Sequence, residues 1–157
     1  MAPHLSQYAI IFLSVAAAGA AVTATNPMYG GQTVRHPLRD ADASIPFIIP
    51  MFAATALAAA EETKVAEVII IGDALPGTTS MADRLGEPIK QVPVDVATHT
   101  MLLPYSSATT GLPKRSMLSH RNLMTNIEQS IRAIRYQENE VALAASPFST
   151  YMACRHS

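Results

Sequence analysis

From Tyr8 to Ala24 only Ser14, Gly19 and Thr23 interrupt an apolar run. Its first part predicts a helix over Ser6–Ala18, with Gly19 as the C-terminal stop. "AAVTAT" then predicts a buried strand that ends at Asn26 and Pro27. "GGQTVRHPLRDADA" predicts a second helix, kinked or interrupted at Pro37, which lacks the amide hydrogen a helix interior uses. "SIPFIIP" predicts a strand whose Pro46 marks an edge or a strand start. "MFAATALAAAEETK" has helix composition, and "VAEVIIIG" is the clearest strand of the chain.

Residues 73 to 98 read as loop-rich, with "DALPGTTS" as a turn cluster and "MADRLGE" as a short helix. "GTTS" at 77 to 80 is assigned to that turn. "TMLLPYS" predicts a strand. Ser119 is an N-cap candidate for the helix "HRNLMTNIEQSIRAIR", whose Leu123, Ile127, Ile131 and Ile134 recur at helical spacing and are expected to pack in the core. "EVALAASP" opens a further strand. No internal repeat, low-complexity linker or domain boundary is found. Helices alternating with apolar strands predict an α/β fold with a partial, mainly parallel sheet and helices on both faces.

Composition narrows the function classes. The chain has 157 residues, 49% hydrophobic and 15% charged, enough for one domain with a core and unlike a disordered tail. A net charge of −1 offers no general attraction to nucleic acid. One cysteine, Cys154, excludes an internal disulfide and fits a reducing compartment. The apolar N-terminal run is barely long enough to span a bilayer, and "MAPHLSQ" lacks the basic residues of a secretory signal, although "AGAA" imitates a cleavage site. A buried helix of a cytoplasmic α/β protein is the expected role, with no membrane span; a secreted or tethered protein is the competing one. His4, His36, His99, His120 and His156 show no metal-ligand spacing. Asp40 and Asp42 read as solvated charges at a helix end, and Asn122 breaks the His-Arg-Asp of a kinase catalytic loop.

Chemistry concentrates in "YSSATTGLPKRSMLSHRNL". Backbone N–H groups of a glycine-containing loop can converge on an anion, and the hydroxyls of Ser106, Ser107, Thr109 and Thr110 can add hydrogen bonds. Gly111 permits a positive φ or a close backbone approach, Pro113 stiffens the loop, and Lys114 brings a mobile charge to phosphate oxygens. Leu112 and Pro113 separate Gly111 from Lys114, so this is not a Walker motif. On these residues alone the stretch is either a phosphate cradle or an ordinary Ser/Thr/Gly/Pro turn.

The same stretch resembles the phosphate-loop signature of the adenylate-forming (AMP-binding) superfamily, which includes acyl- and aryl-CoA synthetases, 4-coumarate–CoA ligases, luciferases and peptide-synthetase adenylation domains. Ser106, Ser107, Thr109, Thr110, Gly111, Pro113 and Lys114 match by position, as do His120, Arg121 and Asn122. Ala108 and Arg115 stand where that signature has glycine, and Ser116 where it has an apolar residue. A glycine-only conformation at Ala108 would cost about 1–2 kcal/mol. Arg115 adds charge beside a phosphate site and removes loop flexibility. "YAIIFLSVAAAGAAVTATNPMYGG", "LRDADASIPFIIP" and "VAEVIIIGD" resemble the acyl/4-coumarate–CoA ligase branch.

The resemblance implies that residues 1–157 are a fragment of the large N-terminal domain of such an enzyme, similar to about residue 148, with a divergent tail at 149–157. It implies ATP held by Ser106, Ser107, Thr109, Thr110, Gly111 and Lys114, with Mg2+ and CoA used by the intact family and a small carboxylic acid as substrate. No catalytic or metal-ligating residue is assigned to this chain. Segments matching the family's Thr-Glu motif, ribose-binding aspartate, hinge and C-terminal lysine are not found, and Ser149 and Thr150 stand where an aromatic and a histidine belong. The expectation is a truncated, inactive ligase that retains the loop; the alternative is a non-catalytic remnant or interaction fragment whose loop is unused.

Overall fold

The computed structural model describes residues 5–24, 31–106, 114–135 and 139. Helix α1 covers Ser6–Ala17, one residue short of expectation, and it is not the buried helix expected, since only Ala16 is buried while Ile10 and Leu13 are exposed. Its end is a Schellman motif: Gly19 N–H donates to Ala16 O and Ala20 N–H to Val15 O, while Gly19 sits at φ +71°. Strand β1, Val22–Thr23, follows directly. Helix α2, Gly31–Asp40, accommodates Pro37 and buries Val34 and Leu38, one turn apart on one face.

Strand β2, Phe47–Ile48, begins right after Pro46, as a residue without an N–H requires at a strand entrance. A 3-10 turn over Pro50–Phe52 leads into α3, Ala53–Ala60. Four of the first six residues of α3 are apolar and small, so it packs closely on its neighbours. Ala59 meets Val34 and Leu38 of α2, while Ala53 and Ala56 meet Ile48, Val68 and Ile70. Ile48 and Ile70 are fully enclosed.

Strand β3, Ile69–Ile70, runs parallel to β2, and β4, Thr79–Ser80, runs parallel to β3 on its other side. This corrects the reading of residues 77 to 80 as turn. The turn is shorter: Thr78 bonds back to Leu75, Gly77 takes φ +78°, and the chain is extended again at Thr79. Ser80 can enter the buried layer because its hydroxyl donates to Gly72 O at 2.8 Å and accepts from Ala82 N–H at 3.2 Å. The expected short helix "MADRLGE" is a 3-10 turn over Met81–Arg84.

The predicted strand "TMLLPYS" is broken at Pro104 into β5, Thr100–Leu103, and β6, Tyr105–Ser106. Strand β5 lies between β1, parallel to it, and β8, Leu118–Ser119, antiparallel to it. Strand β7, Lys114–Arg115, pairs antiparallel with β6. The fold is therefore α/β, with three parallel and two antiparallel pairings among the described residues, mainly parallel as expected.

Helix α4, His120–Ile134, starts where Ser119 predicts. Its apolar stripe departs from expectation: Ile127, Ile131 and Ile134 are 48%, 51% and 45% exposed, so they are not core. Helical spacing places them on one face but does not cover that face, and the helix's main described neighbour is β8 at its first turn. The strand expected at "EVALAASP" and the divergent tail lie outside the described residues.

Candidate functional site

Pro104 ends the pairing of β5, and the chain continues as the two-residue ladder of β6 and β7. Tyr105 faces Arg115 and Ser106 faces Lys114, with Ser116 N–H extending the ladder to Pro104 O at 2.9 Å. Thus the first hydroxyl residue of the candidate loop and its lysine stand opposite each other on neighbouring strands. Ser107, Thr109, Thr110 and Gly111, between them, lie outside the described residues. Lys114 is exposed and forms no ion pair with any described residue.

Arg115 is differently placed. Its Nη1 donates to the backbone oxygen of Asp40 at 2.5 Å, and its Nε lies 3.6 Å from Asp40 Oδ2. The Tyr105 hydroxyl donates to the same Oδ2 at 2.6 Å, and the Tyr105 ring meets His36 edge-on at 6.0 Å. Burial, followed by the hydrogen bond and negative charge of Asp40, pushes the Tyr105 phenol well above its ordinary value. Asp40 is therefore not simply a solvated charge at a helix end. Asp42 is closer to that reading, paired with Lys64 at 2.9 Å on the surface. Nothing in the sequence signalled the meeting of Asp40, Tyr105 and Arg115, which lie 65 and 75 residues apart.

Downstream, a capping box fixes the start of α4. Asn122 N–H donates to Ser119 Oγ at 3.3 Å, and Ser119 N–H donates to Asn122 Oδ1 at 3.0 Å. Arg121 N–H donates to Val96 O, tying the first helical turn to the segment before β5. In that segment Asp95 accepts from Ala97 N–H and from the Thr98 hydroxyl, and these bonds, backbone first, hold its carboxyl below the ordinary range. The rings of His99 and His120 lie 5.4 Å apart, and His99 Nε2 is 3.1 Å from Gly19 O. This places His120 in the first helical turn, as expected.

A hollow of about 530 Å3 lies elsewhere, between β1 and β2, walled by Ile11, Val15, Val34 and Leu38. Its mainly apolar lining offers no convergent cations for a triphosphate. Among the described residues no group of three or more His, Cys, Asp or Glu could hold a metal ion, and no helix is long and apolar enough to cross a membrane.

The AMP-binding enzyme family matches residues 1–156. The chain belongs to the AMP-binding enzyme family. It is 31% identical over 152 residues to 4-coumarate–CoA ligase 5 of Oryza sativa subsp. japonica, covering 92% of this chain and 28% of that protein. It is 31% identical over 158 residues to a long-chain-fatty-acid–CoA ligase of Salmonella typhimurium, covering 82% of this chain and 28% of that one. Among solved structures, a long-chain-fatty-acid–CoA ligase from Archaeoglobus fulgidus superposes with a TM-score of 0.79 at 27% identity, over 88% of this chain and 28% of the other. This AMP-binding family member therefore spans just over a quarter of the length of those curated relatives.

Proposed function

We propose that residues 106 to 114 are the ATP phosphate-binding loop of an AMP-forming acid–thiol ligase, and that this chain is part of that enzyme's large N-terminal domain. The carrying observation is the register of β6 and β7, which sets Ser106 and Lys114 opposite each other and so brings both ends of the hydroxyl-rich stretch to one place. Family membership supplies the chemistry that such a loop serves. Ser106, Ser107, Thr109, Thr110, Gly111 and Lys114 hold the β- and γ-phosphates through hydroxyl, backbone amide and ammonium donors. In the intact reaction a carboxylate oxygen attacks the α-phosphorus of ATP, the bond to the bridging oxygen breaks, and pyrophosphate leaves with the electron pair. The acyl adenylate is then attacked by the thiolate of CoA, which expels AMP. The names of the relatives favour hydroxycinnamic or long-chain fatty acids as the acid class. Mg2+ would screen the phosphate charge when bound; no cluster among the described residues fits it. A cytoplasmic location accords with ATP and CoA as substrates.

The test is acid-dependent exchange of labelled pyrophosphate into ATP, run beside the thermal shift that ATP induces. A thermal shift without exchange is the expected result, because adenylation also needs a metal to offset phosphate charge, and no cluster among the described residues fits one. Lys114→Ala should remove the shift. No shift with ATP in the unmodified protein would leave the loop an inherited but unused element, the non-catalytic alternative.

A further inference from the structure

We infer that Arg115, Asp40 and Tyr105 form a clasp that fixes the base of the phosphate loop, so that Arg115 positions Lys114 and does not itself bind phosphate. The inference rests on the phosphate-loop reading and concerns a residue that departs from the related signature. Where that signature has glycine, this chain has a guanidinium committed to the end of α2, touching both the carboxylate and the backbone oxygen of Asp40. Tyr105, the cross-strand partner of Arg115, reaches the same carboxylate from β6. Both strands of the ladder are thereby tied to one side chain on α2.

The strand geometry carries the rest. Neighbouring residues of a strand point to opposite sides, so with Arg115 turned toward Asp40, Lys114 is directed away from it. The two adjacent cations cannot converge on one triphosphate without Arg115 leaving Asp40. A ladder of only two residue pairs is marginal alone. The clasp supplies from tertiary contacts an order that the ladder lacks.

Two readouts test this on the full chain. In ligand-free protein, amide hydrogen exchange at Ser116, whose N–H closes the ladder onto Pro104, should quicken in Asp40→Asn and Arg115→Gly. Unchanged exchange in both single variants would overturn the clasp. Inorganic tripolyphosphate, titrated calorimetrically, should bind about 3- to 5-fold more weakly to each single variant, the scale of a half-exposed ion pair, and no more weakly to Asp40→Asn/Arg115→Gly than to either alone. If Arg115 were a phosphate ligand, Asp40→Asn would free its guanidinium and tighten binding, and that result would overturn the proposal. Failure of the unmodified protein to bind tripolyphosphate would overturn the phosphate-loop reading and the positioning role together, while the exchange rates would still report separately whether the clasp holds the hairpin.

Discussion

Replacing Ser119 by alanine should cost about 1 kcal/mol of folding stability. The change deletes the oxygen that accepts Asn122 N–H and that donates to Asn122 Oδ1 at 2.9 Å. It leaves the Ser119 N–H bond to Asn122 Oδ1 intact, so one half of the capping box persists. Asn122 is exposed, so its freed N–H can turn to water and escapes the full penalty of a buried unsatisfied donor. The loss therefore belongs in the middle of the range for helix caps, a factor of about 5 in the folding equilibrium. With a urea dependence of about 2 kcal/mol per molar, the midpoint should fall by about 0.5 M. Equilibrium urea unfolding followed by far-ultraviolet circular dichroism measures this directly. Ser119→Thr keeps the acceptor and suits the strand position, so its midpoint should stay close to that of the unmodified chain. Asn122→Ala combined with Ser119→Ala should be less harmful than the two single losses added, because both remove one shared unit. An unchanged midpoint for Ser119→Ala, or strictly additive losses in the double variant, would refute the capping argument.

Gly19→Ala should destabilise by about 1–2 kcal/mol, since an L-residue is strained at φ +71° and the new Cβ would meet Val92 Cγ1 at 3.1 Å; a thermal melt checks it. Ile70→Ala, at a fully enclosed position, should cost about 2–5 kcal/mol, and Ile70→Val about 0.5–1.5 kcal/mol, both read from urea midpoints. Glu67 is held below its ordinary value of 4.5 by hydrogen bonds first from Arg84 and then from Thr79. Because the folded value is the depressed one, this contribution is fully present above the ordinary value and drains as pH falls through the folded one. Glu67→Gln should accordingly flatten the acid side of a stability–pH curve, and an unchanged acid side would count against the assignment. Lys114→Ala should weaken tripolyphosphate about 10- to 100-fold, the range for a hydrogen bond to a charged group, with the unmodified affinity falling as salt is added.

Helix ends were the most legible features of the sequence, because their determinants are local. Gly19 stops α1 through its own backbone freedom, and Ser119 starts α4 through a side chain three residues from its partner. Pairing partners were less legible. Thr79 and Ser80 look like turn residues until Ile69 and Ile70 are set beside them, and Pro104 splits what composition makes one strand. The stripe on α4 shows the limit of periodicity, which defines a face without saying what lies on it. At the candidate site the lysine and its hydroxyl neighbours form a contiguous motif, and the role proposed for them rests on that motif and on the register of β6 and β7. The role of Arg115 was not legible in the motif, since it depends on a carboxylate 75 residues earlier in the chain.

The pairing of β1 with β5 bears on how the molecule is made. Thr23 and Leu103 are 80 residues apart, whereas β2 and β3 join Phe47 to Ile69. Closing the longer span costs about 1 kcal/mol more in chain entropy, so the β2–β3–β4 unit with α2 and α3 should assemble first. On a ribosome adding about 5–20 residues per second, β1 waits roughly 4 to 16 seconds for its partner to be synthesised. Throughout that interval the edge of β1 that β5 will take is open to pairing with other strands.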